Sequence, residues 1–299
     1  MLIPMTKFFD FSVPAVAELA GLDAARALQE DVGAGDLTAG LIDPKRHARA
    51  RVLAREAAVI CGAPWVHATL QQVDPEIKII WRVQEGQRCA PDQVVLELEG
   101  SARALLTAER TVLNFLQLLS AVATKTASFV DAVKDVPVES AKRAQIVDTR
   151  KTLPGLRLAQ KYAVRAGGGT NHRIGLYDAV LIKENHIAAA GGVTAVLARA
   201  AAVAPTAKFV EIEVETLAQL VEALDAGARM VLLDNMSLEQ LREAVQINAG
   251  RAILEVSGGV NMATERAIAA TGVDRISIGA LTKDVQATDF SMRFSADAA

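Results

Sequence analysis

The chain has 299 residues, enough for a sizeable core, and one or two domains are expected at this length. Its net charge is −3, apolar residues make up 51%, drawn mainly from Ala, Val, Leu and Ile, and aromatics supply only 4%. That balance argues against a nucleic-acid partner, which calls for a basic domain or a platform of aromatics, and no apolar run is long enough to span a bilayer. The opening MLIPMTKFFDFSVP has one Lys, one Asp and no long apolar stretch, so no secretory signal is expected and the cytoplasm is the expected compartment. Cys61 and Cys89 lack metal-ligand spacing and are read as reduced, partly buried thiols.

In chain order, residues 24–30 read as a helix ending in the Gly- and Asp-rich EDVGAGDLT. Strand-like runs follow at 50–55, 58–61, 77–83 and 94–99, divided by Gly and Pro turns at 62–64, 86 and 90–92. A long helix is expected over 102–120, where Leu105, Leu106, Val112, Leu113, Leu116 and Leu119 recur at helical spacing, and a second over 123–133. After residue 140 the pattern turns regular. Apolar strand-like runs at 145–147, 179–182, 209–214, 230–233, 252–256 and 275–278 are mostly separated by amphipathic helical segments at 193–203, 217–226, 238–247 and 263–270. Such repetition defines an α/β class with parallel strands and helical crossovers. Both a (β/α) barrel and an open doubly wound sheet fit it.

Polar clusters arbitrate between the two. They follow nearly every strand: Asp148-Thr149-Arg150-Lys151, Lys183-Glu184-Asn185-His186, Glu213, Asp234-Asn235, Ser257-Gly258-Gly259 and Gly279-Ala280. An open sheet concentrates its site at one switch point, whereas a barrel gathers residues from many strand ends. An incomplete (β/α) barrel is therefore expected over 121–283, after an N-terminal domain over 1–120. The tail over 284–299 holds no further strand–helix unit and is expected to return to the N-terminal domain.

Within 148–187, Arg150, Lys151, Arg157, Lys161, Arg165, Arg173 and Lys183 stand against only Asp148, Asp178 and Glu184, with His172 and His186 among them. A local excess of cations on an acidic protein points to a pocket for a small, highly charged anion. Arg offers a planar fork to carboxylate or phosphate and Lys a point charge. Gly167-Gly168-Gly169 allows close backbone approach to a ligand, and His172 beside Arg173 adds donors. Glu213 and Asp234, at the ends of adjacent strands, suit Mg²⁺ or ribose hydroxyls. The alternation of Glu211, Glu213 and Glu215 also fits one solvent-facing side of a strand. Ser257-Gly258-Gly259 and Ile278-Gly279-Ala280 are phosphate-cradle arrangements on the last two strands. Arg110, a charge on an apolar helix, reads by itself as a surface residue.

These residues resemble the quinolinate phosphoribosyltransferase family. The likeness runs through AERTVLN (108–114), DTRKTLPGLR (148–157), KYAV (161–164), GGGTNHRIGLYDAVLIKENH (167–186), EIEVE (211–215), LLDN (232–235), EVSGGV (255–260) and ISIGALT (276–282). The resemblance implies an N-terminal α/β sandwich domain beside an incomplete α/β barrel, in a homodimer with sites between subunits. It implies transfer of ribose 5-phosphate from phosphoribosyl pyrophosphate, with Mg²⁺, to the ring nitrogen of quinolinate, with loss of the adjacent carboxylate as CO₂. Residue by residue, it implies that Thr149, Arg150, Lys151, His172, Arg173 and Lys183 bind quinolinate and nearby phosphoryl oxygens. Arg110 would enter the partner subunit's site. Glu213 and Asp234 would hold ribose and Mg²⁺, and Ser257, Gly258, Gly259, Ile278, Gly279 and Ala280 would cradle the 5-phosphate. Lys151, Lys183, Glu213 and Asp234 are the expected catalytic residues. Many members carry His after the GALT segment, where this chain has Lys283. Rival readings are a relative acting on nicotinate or another pyridine or pyrrole acid, a lyase or aldolase with a Schiff base on Lys183, and a sensor of phosphorylated metabolites.

Overall fold

The computed structural model describes residues 8–137 and 143–295. The reading of the opening segment rests largely on residues 1–7, which lie outside that range, as do the last four residues of the tail. In order, the elements begin with helix α1 (Val13–Asp31), strands β1 (His47–Ala54) and β2 (Ala58–Val59), helix α2 (Ala63–Val73), strands β3 (Lys78–Trp81), β4 (Arg88–Cys89) and β5 (Val94–Ser101), and helix α3 (Ala102–Lys134). There follow β6 (Gln145–Val147), α4 (Arg157–Ala166), β7 (Val180–Ile182), α5 (Glu184–Ala190), α6 (Val193–Ala200), β8 (Val210–Val214), α7 (Leu217–Asp225) and β9 (Met230–Asp234). The last are α8 (Leu238–Asn248), β10 (Ile253–Ser257), α9 (Glu265–Ala269), β11 (Arg275–Ser277), α10 (Ala280–Lys283) and β12 (Phe290–Phe294). No helix among the described residues is long and apolar enough to cross a membrane.

The chain forms two compact units. One comprises Met1–Lys125, Pro154–Gly167 and Val285–Ala299; the other comprises Thr126–Leu153 and Gly168–Asp284. The segment Pro154–Gly167, expected within the barrel stretch, thus clusters with the first unit.

The first unit is built on an antiparallel sheet of order β12-β1-β5-β3. Along β1, His47, Arg49 and Arg51 are exposed while Ala48, Ala50, Val52 and Ala54 are buried, the period-2 alternation of a sheet with one face on a core. That face packs with Val66 and Leu70 of α2 and Leu105, Val112 and Leu116 of α3. The other face carries charge pairs across strands, including Arg49–Glu99 at 3.1 Å and Arg51–Glu97 at 3.2 Å. Cys61 and Cys89 are free and buried in this unit, and burial pushes the Cys61 thiol well above its ordinary pKa.

The second unit holds a six-stranded, wholly parallel sheet of order β6-β11-β10-β9-β8-β7. From β7 to β11 sequential strands are neighbours, and the first strand, β6, lies beside the last, β11. This is the cycle of a barrel opened between β6 and β7, not the reversing order of a doubly wound sheet. A single bridge between Val147 and Thr170 lies at the opening. Ile212, Val214, Val231, Leu233, Leu254, Val256 and Ile276 are buried, as strands covered on both faces require.

Candidate active site

The site is assembled in the second unit at the C-terminal ends of its strands. At the end of β6, Asp148 is fully buried and acts as a brace. Its Oδ1 accepts from the backbone N–H of His172 at 2.8 Å and its Oδ2 from Asn171 Nδ2 at 2.7 Å. Both bonds fasten the Gly-rich loop to the strand that precedes it. Thr149 Oγ1 accepts from the Lys151 backbone at 3.1 Å, and the Lys151 carbonyl accepts from Thr282 Oγ1 at 2.7 Å. A Cβ placed on Gly279 would lie 3.0 Å from Lys151 Cδ, so the lysine stem lies directly over that glycine. Parallel pairing of β6 with β11 brings these two clusters together.

At the end of β7, Lys183 Nζ meets Glu213 Oε2 of β8 at 2.8 Å. One strand further, Asp234 ends β9, where its Oδ2 accepts from Asn235 Nδ2 at 2.7 Å. Asn235 adopts φ 54°, in the left-handed region that Asn tolerates better than most side chains, and its backbone N–H donates to Ser257 O at 3.2 Å. Burial, and next the charge of Glu213, push the Asp234 carboxyl above the usual range. Two carboxylates crowded in this way form a hard-oxygen donor set that a divalent cation would relieve, so Glu213 and Asp234 fit Mg²⁺ by their chemistry.

Arg173 is buried, and its guanidinium pKa is lowered by burial and then by the charge of Arg150. Two guanidinium groups near each other, one of them desolvated, make a strong anion trap. The strand ends therefore hold a crowded guanidinium pair, Arg150 and Arg173, and a crowded carboxylate pair, Glu213 and Asp234, with Lys183 against the latter.

His172 stands apart from the expectation that it donates to an anion. Its Nδ1 accepts from the Arg173 backbone N–H at 2.7 Å, and its Nε2 faces Glu211 Oε2 at 2.8 Å. Both ring nitrogens are spent on protein partners. Glu211 itself is fully buried, so the alternating glutamates of β8 do not form a solvent-facing side: Glu211 lies in the barrel interior, Glu213 is partly buried and Glu215 is exposed. Glu255 of β10 is also fully buried, 3.4 Å from His172 Nε2 and ion-paired with Arg275 at 2.9 Å. Burial pushes both carboxyl groups up to about 7, with the charge of Glu211 adding to the effect at Glu255. In the sequence Glu211 reads only as part of a solvent-facing row, and Glu255 and Arg275 carry no assigned role. A charged residue alone in an apolar strand, as in Ile253-Leu254-Glu255-Val256, was the available signal.

The glycine clusters have distinct geometry. Gly258 adopts φ +99°, and a Cβ there would lie 2.2 Å from Asn235 Oδ1; Gly259 adopts φ +61° over open space. Ile278 donates its backbone N–H to Val147 O at 2.9 Å, fixing the start of the Ile278-Gly279-Ala280 turn. Arg110 lies in the first unit, exposed on α3.

A parallel barrel opened at one seam, with cations, paired carboxylates and glycine turns at its strand ends, defines a class: an α/β-barrel enzyme for phosphorylated, multiply charged substrates. Comparison with known proteins gives the family. Residues 36–120 match the model of the quinolinate phosphoribosyl transferase N-terminal domain, and residues 122–293 match that of its C-terminal domain. A nicotinate-nucleotide pyrophosphorylase (carboxylating) from Mycobacterium leprae is 42% identical over 274 residues, covering 89% of this chain and 94% of the relative. A quinolinate phosphoribosyltransferase (decarboxylating) from Nicotiana glauca is 38% identical over 293 residues, covering 91% of this chain and 81% of the relative. The solved structure of the nicotinate-nucleotide pyrophosphorylase from Francisella tularensis superposes with a TM-score of 0.88 at 42% identity, covering 93% of this chain and 97% of that one. The chain belongs to the quinolinate phosphoribosyltransferase family.

Proposed function

We propose that this chain transfers the 5-phosphoribosyl group of phosphoribosyl pyrophosphate to the ring nitrogen of quinolinate, releasing pyrophosphate and CO₂ and leaving nicotinate mononucleotide, a precursor of NAD. The observation that carries this reading is the pairing at the strand ends of a crowded guanidinium pair with a crowded carboxylate pair. Quinolinate is a dianion, and its carboxylates would neutralise the crowded pair of Arg150 and Arg173, with Lys151 over Gly279 as a further cation. Gly259 faces open space in which a backbone N–H can meet the 5-phosphate, while the missing side chains at Gly258 and Gly279 let Asn235 and the Lys151 stem close in beside it. Lys183, held against Glu213, places a cation beside a carboxylate where pyrophosphate departs and positive charge grows on the ribose.

In the first step the bond from the anomeric carbon to pyrophosphate breaks and its electron pair leaves with pyrophosphate. The ring nitrogen supplies the pair for the new C–N bond. In the second step the C–C bond to the adjacent carboxylate breaks, CO₂ leaves, and the electron pair stays on the ring carbon beside the cationic nitrogen until a proton arrives. Neither step needs a covalent enzyme nucleophile, so orientation and fixed charge supply the rate. Mg²⁺ bound by Glu213 and Asp234 would supply charge neutralisation for the pyrophosphate.

The decisive experiment supplies Mg²⁺, phosphoribosyl pyrophosphate and quinolinate labelled in the carboxylate next to nitrogen, with nicotinate in a parallel reaction. Labelled CO₂ together with nicotinate mononucleotide, from quinolinate alone, is expected. Product from nicotinate instead moves the assignment to a non-carboxylating relative, and no product from either removes it.

The exposed charge of Arg110 on α3 supports a homodimer in which this side chain completes the partner's anion site. Arg110→Ala and Lys183→Ala chains, each inactive alone, are then expected to regain activity when unfolded and refolded together. Recovery arises because one site of the mixed dimer takes both intact residues. A mixture as inactive as its parts rules the shared site out.

A further inference from the structure

Beneath the mouth, the barrel interior contains a chain of buried and partly buried polar side chains that the transfer chemistry above does not use. Arg275 Nε lies 2.9 Å from Glu255 Oε2, its direct register partner on the neighbouring strand. Glu255 Oε1 lies 3.4 Å from His172 Nε2, and Glu211 Oε2 approaches the same nitrogen at 2.8 Å. Phe209 packs edge-on against the imidazole, with centroids 5.3 Å apart and planes at 82°. On the far side of the ring, Nδ1 receives the Arg173 backbone N–H at 2.7 Å.

The direction of these bonds follows from what each group can do. A backbone N–H only donates, so Nδ1 must present its lone pair. The proton of the neutral ring is then on Nε2, where Glu211 accepts it at 2.8 Å and the Glu255 carboxylate lies 3.4 Å away. An imidazolium would set a second N–H against the backbone N–H of Arg173. The adjoining loop is pinned in the same manner, because Asp178 accepts from Ile174 N at 2.9 Å and from Gly175 N at 2.9 Å. Arg173 therefore has its backbone held by His172 on one side while Asp178 anchors the residues that follow.

We infer that Glu211, Glu255 and Arg275 are positioning residues: they lock His172 as the Nε2–H tautomer, and the locked ring holds the Arg173 backbone so that its guanidinium meets a substrate carboxylate already in place. This rests on the reading of Arg173 as a quinolinate-binding residue. The energetic logic is pre-organisation. A cation on a loop must be ordered on binding, whereas one whose backbone is already bonded to a buried ring is not.

The same three side chains, His172, Glu211 and Glu255, bring ligand atoms within 4.8 Å of one another and invite comparison with a metal site. The hydrogen-bond pattern is against it. A metal needs the Nε2 lone pair, but Nε2 carries the proton, and Glu255 already has a cation in Arg275.

The test uses the full-length protein. Long-range ¹H–¹⁵N correlation spectra of wild type, with His172→Gln identifying the signal, are expected to show His172 protonated at Nε2 and bare at Nδ1. Glu211→Leu, which removes the acceptor, is expected to lose that tautomer preference and to weaken quinolinate binding by about tenfold, with the KM for phosphoribosyl pyrophosphate within about twofold. Glu211→Gln, whose carbonyl still accepts, is expected to restore most of both and also covers the case in which the leucine variant fails to fold. A wild-type ring protonated at Nδ1, equal quinolinate affinity in wild type and Glu211→Leu, or a stoichiometric metal in purified wild type that Glu255→Gln abolishes would each overturn the inference. Failure of the wild type to bind quinolinate at all would instead strike the assignment of Arg173 to that substrate.

Discussion

Gly258 is the residue whose chemistry is most constrained by its neighbours. Its φ of +99° already excludes most side chains, and a Cβ would lie 2.2 Å from Asn235 Oδ1 and 3.1 Å from Asn235 N. Asn235 in turn orients Asp234 through the 2.7 Å bond from its amide. A methyl at Gly258 thus reaches the carboxylate pair through one intermediate. Gly258→Ala is expected to lower stability by about 1–3 kcal/mol and to raise the KM for phosphoribosyl pyrophosphate. Gly259→Ala, at φ +61° with nothing within 4 Å, is expected to cost about 1–2 kcal/mol of backbone strain and to raise that KM less than Gly258→Ala, because its methyl faces the incoming 5-phosphate but leaves Asn235 in place. Equal effects of the two on KM would show that contact with Asn235 is irrelevant. Glu255 makes a prediction of a different kind. Its carboxyl, pushed up to about 7 by burial and by Glu211, faces His172 and Arg275 as well. A folded-state pKa above the unfolded value means the native state binds the proton more tightly. The resulting stability is present below the unfolded pKa of about 4.3 and is lost as pH rises through 7. Wild type is expected to lose stability relative to Glu255→Gln, a permanent mimic of the protonated form, between those limits in urea unfolding. A constant difference across that range would contradict the buried, proton-holding state.

At the scale of elements, the sequence was legible where local pattern and tertiary need agree. The six parallel strands stand within a residue or two of their apolar runs, because a strand covered on both faces is apolar throughout and stops where its polar mouth residues begin. Helix boundaries were less so. The expected helices at 102–120 and 123–133 are one helix, Ala102–Lys134, since the residues between them include neither Gly nor Pro and nothing breaks the ladder. Gly62-Ala63-Pro64, taken as a turn, begins α2. Pro tolerates the first turn, where its missing N–H has no partner to lose, and Glu85 accepts from Gly62 N and Ala63 N at 2.9 Å. That cap comes from 22 residues downstream and leaves no local signature. The N-terminal helix begins at Val13, well before residue 24, and α4 was not separated from the cationic motif that contains it. The site divides in the same way. Strand-end clusters could be seen because they interrupt apolar runs. The Arg275–Glu255–His172–Glu211 chain could not, because its contacts depend on which strands become neighbours and in what register.

For the molecule as a whole, the least local feature is the use of the chain's last described strand. After α10 the chain leaves the barrel unit, and Phe290–Phe294 becomes the edge strand of the antiparallel sheet, with Ala50 opposite Phe294 and Ala54 opposite Phe290. Side-chain bonds fix this register: Arg55 Nε donates to Ser291 Oγ at 2.9 Å, and Asp289 N donates to Glu56 Oε1 at 2.9 Å. The two aromatic ends of the strand differ sharply in burial. Phe290 is 6% exposed within the sheet's core cluster, whereas Phe294 is 39% exposed. If the strand is an integral part of the first unit's core, Phe290→Ala should remove about 3–5 kcal/mol by loss of apolar burial and the cavity left behind. Phe294→Ala should cost well under 1 kcal/mol, as exposed positions do. Urea unfolding, followed by the fluorescence of Trp65 and Trp81 in that unit, measures both. A strand that merely lies against the edge predicts instead that the two variants behave alike. Truncation before Phe290 sharpens the distinction. It uncovers the hydrogen-bonding edge of β1 together with the core surface that Phe290 covers, and an unprotected edge of that kind is expected to drive self-association. Chains truncated there should be aggregated in light scattering at concentrations where Phe294→Ala stays dispersed.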